Sequence, residues 1–155
     1  MTTTIAHANT DLVAVAFIRT ILGWGGSVAA GPDLPDAASW EASSGFVQVT
    51  SGIGGSSSIL VPRKSPVVSV KCWGRPVNNS RRPPWNRANA IAENIRAGCF
   101  EAYQKPVAVT LPAGYPIAAV RSAYLLTEPR RLPGDDSSYA CFQFDMQLHW
   151  TEVPS

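Results

Sequence analysis

Tyr139-Ala140-Cys141-Phe142-Gln143-Phe144-Asp145-Met146-Gln147-Leu148-His149-Trp150 alternates without a break. Phe142, Phe144, Met146, Leu148 and Trp150 fall on one side, and Cys141, Gln143, Asp145, Gln147 and His149 on the other. Period-two alternation of this kind marks a strand with one face in a core and the other polar. The run is about twice the usual strand length of ~5–6 residues. A second long strand is predicted just before it, Pro116 to Thr127. The two are joined by Glu128-Pro129-Arg130-Arg131-Leu132-Pro133-Gly134-Asp135-Asp136, which reads as a charged tip broken by Pro and Gly. A long antiparallel pair with a polar outer face and a projecting tip suits a surface that docks other protein, and points to assembly rather than catalysis.

Working outward, Asn9-Thr10-Asp11 offers N-cap chemistry and Gly23 a stop for a helix at 11–22. Its polar side is narrow, so the helix is packed on more than one side. Residues 23–44 read as a loop anchored by Trp40. Phe46–Thr50 reads as a short strand, Ser51–Ser56 as a turn, and Ser57–Val61 and Pro66–Trp73 as two further strands. Residues 74–85 form a second loop. A second helix is predicted from Asn86 to Tyr103, with Ala88, Ile91, Ala92, Ile95, Cys99 and Ala102 as its apolar stripe. The order α, β, β, β, α, β, β with short connections predicts an α+β fold: a mixed, mostly antiparallel sheet with two helices on one face.

The 155 residues make one domain's worth, 1–155. Charged residues are only 15%, against ~25% in ordinary domains, and five Trp are present. That balance predicts apolar surface covered by a partner. No acidic residue lies between Glu41 and Glu93, while Arg63, Lys64, Lys71, Arg75, Arg81, Arg82 and Arg87 do. Such asymmetry predicts one electropositive face, or simply a solvated one. The apolar run Leu12–Leu22 is interrupted by Arg19, has no Lys or Arg before it, and is too short to span a bilayer. It reads as a helix of a globular protein, with no membrane partner expected.

Chemistry-bearing patterns are sparse. Two histidines, His7 and His149, are poor material for a metal site. Cys72, Cys99 and Cys141 lack zinc or disulfide spacing, which predicts reduced thiols and synthesis in a cytoplasm. Cys141 and His149 share a strand face but lie eight residues apart, about 27 Å at ~3.4 Å per residue, too far to pair. Gly52-Ile53-Gly54-Gly55 lacks the Lys-Ser/Thr of a phosphate loop. No catalytic, metal-binding or cofactor-binding residue is therefore expected. Arg81-Arg82-Pro83-Pro84-Trp85-Asn86-Arg87 is the one basic-aromatic cluster. It could stack on bases and neutralise phosphates, or it could merely start the second helix. Arg81, Arg82, Trp85, Arg130, Arg131, Asp135 and Asp136 are the candidate interface residues.

The layout resembles a known family. Asp11-Leu12-Val13 opens the first helix, and Gly45-Phe46-Val47-Gln48-Val49 leads to Gly52-Ile53-Gly54-Gly55. Pro66-Val67-Val68-Ser69-Val70-Lys71-Cys72-Trp73 precedes an Ala-rich helix, and the segment Glu128–Asp136 leads to a long strand ending in Trp150. Over nearly its whole length the chain is similar to the tail terminator (tail completion) proteins of siphophages, in their actinobacterial-phage form. The resemblance implies a hexameric ring on the head-proximal end of the tail tube, in the virion tail at the head-tail junction. Such a ring ends tube polymerisation and offers the surface that joins the head. Its partners would be its own copies, the tail tube protein and a head completion or neck protein, with DNA passing through the lumen without sequence-specific contacts. Another ring protein of the neck or tube, a small DNA-binding module and a small enzyme are the alternatives.

Overall fold

The computed structural model describes residues 9–22, 29–31, 45–57, 63–74, 84–104, 106–111, 115, 117–132 and 139–152. The elements run α1 (Thr10–Leu22), β1 (Ala29–Gly31), β2 (Phe46–Ser57), β3 (Arg63–Gly74), α2 (Trp85–Gln104), β4 (Val107–Val109), β5 (Ala118–Leu125), β6 (Arg130–Arg131) and β7 (Ala140–Glu152). They form a seven-stranded sheet in the order β1-β2-β3-β7-β5-β4, with β6 paired to β7. Among the described residues only β1 and β2 run parallel, and every other pair is antiparallel. The expected mixed, mostly antiparallel α+β fold is what forms.

Alternation in β7 places the core. Phe144, Met146, Leu148 and Trp150 are buried, and Asp145, Gln147 and His149 between them are half-buried on the other face. Val68, Val70 and Cys72 of β3 join them, because residues opposed across a ladder share a face. Both helices cover this face. Val13, Ala14, Phe17 and Ile18 of α1 and Ile91, Ala92, Ile95 and Cys99 of α2 complete one hydrophobic cluster. α1 touches both edge strands, β1 and β4, so the sheet curls until its two ends reach the same helix.

Helix starts follow local chemistry. Asn9 caps α1, its Oδ1 accepting from the Leu12 N–H at 2.9 Å. The Pro84 carbonyl accepts from the N–H groups of Arg87 and Ala88, both at 3.2 Å, and opens α2. Gly45, with φ 99°, lets the chain enter β2 beneath Ile91, where a side chain would strike the Trp73 carbonyl oxygen.

Four expectations are corrected. Ser51–Ser56 does not turn the chain: it lies within β2, which pairs with β3 through Ser57↔Lys64. A register irregularity between Thr50 and Gly54 absorbs the glycines, so pairing with β3 overrides their weak strand propensity. Ser57, expected to open a separate strand through Val61, instead ends β2; residues 58–62 lie outside the described residues. The predicted loop 23–44 contains β1. The joining segment after β5 is not wholly a projecting tip, because Arg130 and Arg131 pair with Gln143 and Phe142 of β7. The Leu126 and Leu132 N–H groups also donate to the Asp145 and Cys141 carbonyls, which keeps β5 and β6 on one line along β7. Trp40, expected to anchor the loop, lies outside the described residues.

Candidate functional site

Of the seven candidate interface residues, Trp85, Arg130 and Arg131 are described; Arg81, Arg82, Asp135 and Asp136 lie outside the described residues. Trp85 is the first residue of α2. Its ring meets Phe142 edge-on, centroids 6.1 Å apart at 80°. The Arg131 guanidinium carbon lies 4.9 Å from the same ring centroid. Aromatic edge contact and a cation over the ring face are both favourable arrangements. Arg131 opposes Phe142, so it serves the helix-covered face. Arg130 opposes Gln143, which in turn opposes Lys71 of β3. The two arginines, neighbours in sequence, therefore work on opposite faces of the sheet. Arg130, Gln143 and Lys71 form a row across three strands of the outer face.

That outer face is polar and cross-linked by side-chain hydrogen bonds. Gln143 Nε2 donates to Ser69 Oγ at 2.8 Å, Trp73 Nε1 donates to Gln48 Oε1 at 3.2 Å, and Gln147 Nε2 donates to the Ser65 carbonyl at 2.7 Å. Ser65 Oγ and His149 Nδ1 lie 2.8 Å apart, and the Tyr124 ring lies over the imidazole at 5.9 Å. The Ser65–His149 contact was not legible in sequence, because it depends on the register of β3 against β7.

The thiols are poor nucleophiles. Burial pushes Cys99 and Cys141 up to about 12 and Cys72 well above its ordinary value, so all three are protonated at neutral pH. Cys99 packs with its sulfur 3.9 Å from Met146 Sδ, as a small core hydrophobe does. Among the described residues no group of three or more His, Cys, Asp or Glu could hold a metal ion. No described helix is long and apolar enough to cross a membrane.

A second surface feature was missed in sequence. A groove of about 570 Å³ opens between α2 and the end of β5, lined by Cys99, Phe100, Tyr124, Leu126 and the residues around them. Phe100 is 68% exposed, Leu126 47% and Tyr124 45%. Its rim carries an ion pair between Arg96 and Glu128, with Glu93 3.7 Å from the same guanidinium. A signal existed in Tyr124-Leu125-Leu126, three apolar residues in a row where alternation calls for a polar one. Among the described residues the other exposed large apolar side chains, Tyr115 and Ile117, sit at the opposite end of β5.

No protein-family model matches the chain, and no curated protein matches it. Among solved structures, a chain described as "Virion of native gene transfer agent (GTA) particle" is similar over 91% of this chain and 89% of its own, with a TM-score of 0.49 and 10% identity. A second solved chain, of unstated function, is similar over 95% of this chain and 99% of its own, with a TM-score of 0.37 and 16% identity. Likenesses of this depth carry no functional argument.

Proposed function

We propose that this chain, as a single domain over residues 1–155, is a structural subunit of a phage virion and acts as a tail terminator. Six copies form a ring on the head-proximal end of the tail tube, end its polymerisation and present the joining surface for the head. The observation that carries this reading is the long β3–β7 ladder. Its inner side is sealed by the core, and its outer side is an extended polar face built from half-buried Lys71, Gln143, Asp145 and Gln147, with Gln143 bonded across strands to buried Ser69. Such a face suits lining a lumen or docking a neighbouring ring, with DNA passing by. The sequence resemblance supports the same role, and a non-enzymatic subunit fits the buried, protonated thiols.

Tube polymerisation in the presence of the purified protein tests the proposal. Tube ends capped by sixfold rings, seen by negative stain, are the expected outcome; tubes that keep growing in its presence overturn it. The row Lys71, Gln143, Arg130 also favours a second reading, a small DNA-binding module. That reading requires steeply salt-dependent DNA affinity, and fails if no retardation occurs at low salt.

A further inference from the structure

We propose that the seam of the curled sheet is a docking slot for one extended peptide strand of a partner protein. The sheet order begins at β1 and ends at β4, so among the described residues the outer side of each carries no ladder partner. One groove, of about 560 Å³, is bordered by Ala30 and Gly31 on one side and by Ala108 and Thr110 on the other. Its floor is α1. Val13, Ala14, Phe17 and Ile18 of that helix turn to the core, while Leu12, Val15 and Ala16 form the neighbouring stripe, line the groove and stay half-buried. The site is independent of the tail role proposed above and stands or falls by itself.

Three properties select an extended chain over a helix. The walls are strand edges, whose peptide groups pair with the free N–H and C=O groups of another strand, whereas a helix has already spent its own. Size agrees: from its ~3.3 Å rise, ~4.8 Å spacing and ~10 Å layer thickness, a packed strand fills roughly 160 Å³ per residue. The groove therefore holds about three to four residues, and β1 and β4 are three residues each. Charge completes the match. Asp11 and Arg19 both line the groove, and eight helical residues separate them by about 12 Å. Strand residues four apart share a face and lie ~13 Å apart. The occupant thus carries a cation for Asp11 and an anion for Arg19, four residues apart, with a small side chain between them over α1. Arg19 already donates to the Ala30 carbonyl at 2.7 Å, so the new ladder forms on the β4 side.

Fluorescence anisotropy of labelled, end-blocked peptides tests the slot. Each probe alternates threonine with three inward residues, in the order lysine, alanine, glutamate in one peptide and glutamate, alanine, lysine in the other, because strand direction sets the charge order. One of the two is expected to bind the wild-type protein with a Kd of about 1 mM or tighter. A probe with threonine in place of both charges should bind ~3-fold more weakly. Proline in place of the threonines beside the alanine removes main-chain donors and should abolish binding. Ala16→Arg fills the floor of the groove and should weaken binding ~10-fold or more. Val15→Lys repeats that test if Ala16→Arg misfolds. Neither charge order binding, a proline probe that binds as well as its parent, or full affinity in the folded floor variants each overturn the slot. If neither peptide binds, and the wild-type protein self-associates with rising concentration while Ala16→Arg stays monomeric, the groove belongs to a second copy and the partner strand is overturned.

Discussion

Gly45 carries the sharpest constraint of any described residue. Its φ of 99° is a conformation that L side chains rarely adopt, and an added Cβ would lie 2.7 Å from the Trp73 carbonyl oxygen and 2.9 Å from Ile91 Cδ1. Backbone oxygen cannot step aside as a flexible side chain can. Gly45→Ala is expected to lower stability by ~1–3 kcal/mol, read from the urea midpoint at constant slope. The three thiols give a second prediction at this scale. Their folded values lie above the ordinary 9.0, about 12 for Cys99 and Cys141, because burial penalises the thiolate. Above about pH 9 the unfolded chain therefore releases protons that the folded chain retains. The stability they contribute is whole below that pH and is lost as pH rises toward 12. Urea midpoints from about pH 8 to about pH 10 should fall more steeply for the wild-type chain than for Cys72→Ala/Cys99→Ala/Cys141→Ala. The folded protein should also resist iodoacetamide until denatured. Among interface residues, Trp85 was readable as a helix-start aromatic. Its partners were not: Phe142 and Arg131 reach it only because β6 lies along β7.

At the scale of elements, strong local signals carried through. α1, α2 and β7 form where periodicity and capping put them, to within two residues. α1 supplies the test: Asn9→Ala removes the oxygen that accepts from the Leu12 N–H, and should lower stability by ~1 kcal/mol in the same urea measurement. Asn9→Asp should restore most of it, since any short acceptor at the cap suffices. What stayed illegible was pairing that only tertiary neighbours create. β1 and β4 are three residues each, too short to announce themselves, and exist because β2 and β5 offer open edges. The second half of β2 has a turn-like composition and is a strand because β3 runs beside it. The groove was hidden for a related reason: the apolar run at the end of β5 hints at exposed surface, but only the juxtaposition of α2 with β5 sets Phe100 beside Leu126.

At the scale of the whole molecule, curling brings both sheet edges to α1 and leaves them unequal. On the β1 side, Arg19 donates from its guanidinium to the Ala30 carbonyl at 2.7 Å, so an edge acceptor is already engaged. Low charge and five Trp predicted apolar surface available to a partner, and the exposed Phe100, Tyr115, Ile117, Tyr124 and Leu126 are where such surface lies among the described residues. The strand order adds a last consequence. β7 is the last described strand in sequence yet sits between β3 and β5. While a ribosome is still making the chain, β1-β2-β3 and β4-β5 are two halves of the sheet with no strand between them, though both contact α1 and α2. The nascent protein cannot close its sheet until residues 140–152 emerge. The groove walls, α2 and β5, gain their shared support from β7 at that same moment. The order of synthesis thus delays the sheet's central pairings, β3 with β7 and β5 with β7, until after every other described strand has been made.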